Sequence, residues 1–190
     1  MGVRVINEGV PIEKQIAGIQ KRSANLNPIL KVLAADFEDW IKRDIFGKGD
    51  KKSVSPLGDP WPELAESTRA GRRTGARKAK KARAKYQPLI DTGMLRLQTG
   101  ARSVNRAEHD DFLFGIVGPA AKYGVFHLTG TSKMPARPFL PVNKDATGPD
   151  FSRGTAREWW ANALVTIAEY IATGSKKIVD YESYTELTKL

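Results

Sequence analysis

The sequence predicts one domain that mixes helices and strands, and three observations predict it. Apolar residues recur at helical spacing near both ends: Ile12, Ile16 and Ile19, then Leu30 through Ile45, and again Trp160 through Ile171. Between them lie short β-branched and aromatic runs, Val104-Asn105 and Phe112 to Val117, joined by the polar turn Glu108-His109-Asp110-Asp111. Length is the third: 190 residues suffice for one sizeable core and leave little for a second.

In chain order, Val3-Arg4-Val5-Ile6 alternates like a short strand. Ile12, Ile16 and Ile19 then define an amphipathic helix of about three turns. Asn27-Pro28 marks the start of the next helix, with Asn as cap and Pro at the first helical position. Leu30, Leu33, Phe37, Trp40, Ile41 and Ile45 keep one apolar face over about five turns, and Gly47 ends it. Both helices are expected to turn their stripes to the core. Residues 48–88 form a polar and basic loop insertion. Gly47 to Ser53 only superficially resembles a phosphate loop, since that pattern requires glycines at positions 46 and 51, which hold Phe and Lys. Trp61 and Leu64 can plant the loop back on the core. In Leu89 to Leu97, Thr92 caps a short helical turn, Gly93 permits a tight bend, and Leu95 and Leu97 face inward. A final helix from about Ser152 to Thr173 carries the stripe Trp160, Leu164, Ile167 and Ile171 and closes at Gly174. Residues 1–174 thus read as one domain, and 175–190 as a C-terminal extension, either frayed or docked.

Composition narrows the function. Mean hydropathy is −0.41 and no run of about 18 apolar residues occurs, so no membrane span is expected. Met1 to Ile6 lacks the layout of a signal peptide, and the chain has no cysteine, which together predict an intracellular origin. Without thiols and with two histidines, no metal centre and no cofactor are expected.

The net charge of +10 is concentrated. Between Ser67 and Ile90 there is no Asp or Glu, while Arg69, Arg72, Arg73, Arg77, Lys78, Lys80, Lys81, Arg83 and Lys85 supply nine positive charges. This run has almost no apolar side chain with which to join a core. It reads as a solvated loop, an arm for nucleic-acid phosphates, or a contact for an acidic partner protein. No aromatic residue interrupts it, so base stacking is not indicated. Asp91-Thr92-Gly93 also matches the signature of aspartic proteases, in which two such carboxylates share a proton. The bulky Met94-Leu95-Arg96 that follows, and the helical start of the chain, argue for the structural turn instead. His109 among acidic neighbours sits in a tight turn whose side chains diverge, which favours an exposed turn over a metal site. His127, beside Tyr123 and Phe126, reads as a packed histidine.

Two further segments are prominent: Tyr123 to Gly130, and Met134-Pro135-Ala136-Arg137-Pro138-Phe139-Leu140-Pro141-Val142. The three prolines of the latter fix φ, remove donors and hold Arg137 in extended backbone, as an edge or lead-in and not a central strand. The ordered set Trp61-Pro62-x-Leu64-x-x-x-Thr68, the basic insert, Leu89-Ile90-Asp91-Thr92-Gly93-x-Leu95, Tyr123-x-x-x-His127-x-x-Gly130 and Met134 to Leu140 resembles the phage virion morphogenesis family, the tail completion or neck proteins of tailed bacteriophages.

That resemblance covers most of the chain and implies an α+β fold: a small antiparallel sheet flanked by two N-terminal helices and one long C-terminal helix, with an extended basic loop. It implies a non-enzymatic virion protein, assembled in the bacterial host cytoplasm. It also implies a homo-oligomeric ring, a hexamer, at the head–tail junction, which joins the head connector or adaptor to the tail terminator or tube and lets double-stranded DNA pass. A ring needs heterologous contacts. Tyr123, His127, Met134, Arg137, Phe139 and Leu140 are the candidates for one such surface, with Arg137 pairing an acidic group next door and Phe139 filling a neighbour's pocket. The nine basic residues are the candidates for facing DNA or an acidic partner. The alternative of another class is a stand-alone basic nucleic-acid-binding protein.

Overall fold

The core is organised on the helix α2, Asn27–Trp40, in a computed structural model that describes residues 11–47, 55–68, 89, 93–100, 107–108, 111–112 and 121–181. Pro28 lies in its first turn, and Asn25 Oδ1 accepts the Asn27 N–H at 3.2 Å, so Asn27 is the first helical residue and not the cap. The predicted stripe, Leu30, Leu33, Phe37, Trp40, Ile41 and Ile45, is buried in full, and Ile29 and Ala34 are buried beside it. Beyond Trp40 the chain continues as one π-helical turn, Ile41–Ile45, in which the Phe46 N–H donates to Ile41 O at 3.0 Å. A wider turn accommodates an extra residue, and Ile41, Ile45 and Phe46 are all buried. Gly47 then leaves the helix at φ 72°, as the sequence predicts.

The long C-terminal helix, numbered α5 in chain order below, runs Gly154–Thr173 and packs on α2. Its buried face is Ala156, Trp159, Ala163, Thr166 and Tyr170, at the spacing of one helix side. The predicted stripe lies to one side of it: Trp160 and Leu164 are exposed, and Ile167 and Ile171 only half-buried. Apolarity misjudges the face because helices approach closely where side chains are small. Ala156 and Ala163 provide that approach, and Trp159 fills the space against Phe37 and Trp40, with ring centroids 4.6 and 6.0 Å away. The Trp159 indole N–H donates to Asp36 Oδ2 at 2.8 Å, so the ring is buried without an orphaned donor.

The start of α5 is held by the loop at 55–59. The Ala156 N–H donates to Pro56 O at 3.0 Å, and Arg153 Nη1 to Asp59 Oδ1 at 2.8 Å. Gly154 has φ +63°, and a Cβ there would lie 2.4 Å from the Leu57 carbonyl carbon, so only glycine fits. At the other end Gly174 closes the helix at φ 84°, and its N–H donates to Tyr170 O. The chain then turns back along α5. The Val179 N–H donates to Thr166 Oγ1 at 2.9 Å and the Tyr181 N–H to Asn162 Oδ1 at 2.8 Å, so the extension is docked as far as Tyr181.

Among the described residues the expected α+β architecture does not form. The described residues are mostly helical: α1 Ile12–Ser23, α2, a short α3 Met94–Gln98, α4 Ala121–Thr129 and α5. Their only β ladder is two rungs long, β1 Ala107–Glu108 against β2 Asp111–Phe112, antiparallel, pairing Ala107 with Phe112 and Glu108 with Asp111. That is one turn's worth of pairing, packed against α2, and too short to be the expected sheet. The strands expected at residues 3–6 and 104–105 lie outside the described residues, as does most of 112–117. The proline-rich stretch 134–142 forms isolated bridges alone, Thr131 with Met134 and Val142 with Pro149, because each proline removes a ladder donor.

The helix α1 is the second correction. It forms over Ile12–Ser23, yet none of its residues is buried, and Ile12, Ile16 and Ile19 are 66, 50 and 41% exposed. Its last turn is fastened instead by a cation. Arg22 donates Nε to Ile171 O at 2.7 Å and Nη2 to Ala172 O at 2.6 Å, where the carbonyls at the end of α5 favour positive charge.

Candidate functional site

The residues that carry the sequence motifs are far apart along the chain and meet in one place. In α4, Tyr123 and His127 lie one turn apart on the same side, with ring centroids 6.1 Å apart at an interplanar angle of 84°. The chain reverses at Gly130, φ +77°, where a Cβ would stand 2.8 Å from the Ala136 nitrogen. The return segment is tied to α4 by the Arg137 N–H, which donates to His127 O at 2.7 Å.

The side chain of Arg137 then reaches the other way. Its Nε donates to Pro62 O at 2.9 Å and its Nη2 to Glu63 O at 2.7 Å, while Trp61 Nε1 donates to Pro138 O at 3.2 Å. Three bonds from side chain to backbone thus fasten residues 61–63 to 137–138. A third wall is α3, which starts from Gly93 at φ 78° and buries Leu95, with Thr99 Oγ1 donating to Leu95 O at 2.7 Å. Leu97, expected to face inward, is 71% exposed; it lies two residues from Leu95 and so on a different side of the helix.

These walls enclose a cleft of about 550 Å³, lined by Leu64, Thr68, Met94, Tyr123, His127 and Met134 among others. Lys133 and Arg137 add positive charge and Glu63 a carboxylate. The mouth exposes apolar surface, with Met94 38% and Tyr123 37% accessible. Thioether and aromatic side chains adapt to a variety of apolar partners, so the chemistry on offer is that of a docking cleft. Among the described residues no group of three or more His, Asp and Glu is placed to hold a metal ion.

The predicted surface residues divide into two groups. Tyr123, His127 and Met134 line the cleft. Arg137, Phe139 and Leu140 are 5, 0 and 9% exposed and serve the chain's own core, Phe139 lying 5.4 Å from Phe46 between ring centroids. The reason is the extended backbone: side chains two residues apart share a side, so Arg137 and Phe139 turn inward together. In this chain Arg137 meets backbone carbonyls where an acidic neighbour was expected. A carbonyl acceptor has no sequence signature, so nothing in the residues pointed to Pro62 and Glu63. The nine basic residues from Arg69 to Lys85, together with Asp91, Thr92 and His109, lie outside the described residues.

Among the described residues, fold and site define a mostly helical protein with an apolar-rimmed cleft and a first helix that leaves its isoleucines exposed. The chain is similar to Mu-like prophage FluMu G protein 1 of Haemophilus influenzae, with 30% identity over 91 residues, 48% of this chain and 54% of that protein. The chain therefore spans about half the length of the curated relative it matches. Neither a family model nor a solved structure matches it. Among the described residues no helix is long and apolar enough to cross a membrane.

Proposed function

We propose that this chain is a structural protein of a tailed phage, six copies of which form a ring at the neck or tail end, join tail to head connector, and surround the passing DNA. The observation that carries this reading is the convergence of the separated motifs at one cleft, in a chain similar to a prophage protein. Motifs 60 or more residues apart, such as those of Leu64 and His127, line a shared docking cleft, as a contact surface requires. The role is non-enzymatic and uses no cofactor. Tyr123, His127, Met94 and Met134 receive a segment of a neighbouring virion protein. The basic run from Arg69 to Lys85 faces DNA in the lumen, where its charge neutralises phosphates and makes retention salt-sensitive.

The test is the composition and state of tailed particles. The protein is expected in mature virions at the copy number of a single ring, and phage that lack it should accumulate separate heads and tails. Joined, infectious particles without it would refute the proposal. Replacing the nine basic residues by Gln should weaken salt-dependent DNA binding by the assembled protein; unchanged binding would reassign the run to a protein partner.

A further inference from the structure

Arg22 does more than fasten α1. An α-helix leaves its last four carbonyls without partners inside the helix, and in α5 these belong to Tyr170, Ile171, Ala172 and Thr173. Tyr170 O accepts the Gly174 N–H at 2.8 Å, while Ile171 O and Ala172 O accept Nε and Nη2 of Arg22 at 2.7 and 2.6 Å. Part of the cap of α5 is therefore supplied by a residue 149 positions from Ile171 in the chain. A Cβ placed on Gly174 would stand 3.5 Å from Arg22 Cδ, and the Tyr170 hydroxyl lies 3.5 Å from Asn25 O. The end of α1, the joint after it and the last turn of α5 thus meet at one point. The C-terminal extension starts from that same point. Gly174, at φ 84°, sets the direction in which residues 175–181 leave, and they return along α5 on the Val179 and Tyr181 N–H bonds to Thr166 and Asn162. Neither segment sinks into the core: no residue of α1 is buried, and Ile178 and Tyr181 are 42 and 47% exposed. Segments with so little buried surface open at less cost than the core does.

We infer that Arg22 is a latch that couples α1 to the C-terminal extension, so that these two peripheral segments open together about the end of α5 while the core stays closed. Opening swings α1 about residues 24–26 and takes the guanidinium off the Ile171 and Ala172 carbonyls. The last turn of α5 then frays, and the cap at Gly174 frays with it. The extension loses the fixed exit on which its bonds to Thr166 and Asn162 depend. Linkage makes the coupling reciprocal: an extension held on Thr166 and Asn162 steadies the turn that Arg22 grips, and so keeps α1 closed. Arginine keeps its charge at any working pH, so the latch is released by competition for those two carbonyls and not by titration. The device lies within one chain and does not rest on the ring proposed above.

Residue-resolved hydrogen exchange on the full chain tests the coupling. Arg22→Met should speed exchange of the α1 amides by about fivefold, and that of the Gly174, Val179 and Tyr181 amides by a similar factor, while Leu33 and Phe37 in α2 keep their rates. Asn162→Ala removes the acceptor of the Tyr181 N–H and touches nothing in α1. It should nevertheless speed exchange in the last turn of α1 by about twofold. The joint variant should exchange little faster in α1 than Arg22→Met alone, because an open latch leaves the extension nothing to steady. Three results would each overturn the inference. Arg22→Met could free α1 while Val179 and Tyr181 hold the parent rates, or leave every rate unchanged, so that Arg22 latches nothing. Asn162→Ala could leave α1 untouched, or add in full to Arg22→Met, which would make the segments independent. Faster exchange in α2 to the same degree would show that the core opens with them and that no local device exists.

Discussion

The helices α1 and α2 have the same sequence signature and opposite fates. Each repeats apolar residues on one side, and each was expected to face the core. α2 buries its whole stripe in the core it shares with α5 and Phe139, whereas α1 leaves its isoleucines exposed and is tied to the end of α5 through Arg22. Helical periodicity identifies a side that can be covered. It does not say whether the cover belongs to the same chain.

That comparison can be broken most severely at α2. Phe37→Ala removes a ring that touches Trp40, Phe151 and Trp159, and should lower stability by about 3–5 kcal/mol in denaturant titration. A loss below about 1 kcal/mol would mean the aromatic cluster is not the core. Next comes Arg137→Met, which keeps much of the volume but leaves the Pro62 and Glu63 carbonyls without their donor. We expect a loss of about 2–3 kcal/mol and loosening of residues 61–64 in hydrogen exchange. This substitution tests stability and not assembly, because the side chain is buried in the monomer.

Arg22→Met should cost about 1 kcal/mol and increase proteolysis of α1 while α2 remains protected. Equal protection of both helices would show that α1 is held by more than its cation. Ile16→Ala should change monomer stability by less than about 0.5 kcal/mol, in contrast to Leu33→Ala at about 2–5 kcal/mol; similar losses would erase the distinction between the two helices. The smallest effect belongs to Asp150. Ser152 donates its hydroxyl at 2.6 Å and its N–H at 2.9 Å to Asp150 Oδ1, and these bonds hold the carboxyl below its ordinary pKa. Its contribution is present above the ordinary carboxylate range and lost as pH falls through the depressed value. Asp150→Asn should therefore flatten the acid limb of the stability curve slightly; an unchanged limb would show that the Ser152 bonds add nothing.

The helix at 27–45, with its proline start and its exit at Gly47, was legible because its burial follows from period and punctuation that one segment carries. The last helix was legible in extent, closing at Gly174, but not in orientation. Ala156 and Ala163 look weaker than Leu164 and Ile167 on any scale of apolarity, and only the approach of α2 makes small size an advantage. At the cleft, Tyr123, His127 and Met134 were legible as a group. Arg137 was legible as a residue that matters, but its bonds to the Pro62 and Glu63 carbonyls, toward which the extended backbone turns it, were not. The sheet was read into runs that pair for two rungs among the described residues.

Local interactions between neighbours in the chain set the helix spans, the proline-stiffened stretch, the turn at Gly130 and the concentration of positive charge, and these could be read from residue order. Which side of each helix is covered, where Arg137 points and which motifs share a cleft depend on contacts between segments tens of residues apart. Those contacts are chosen by fit and by the pairing of buried donors with carbonyls, quantities that exist only after the helices have come together.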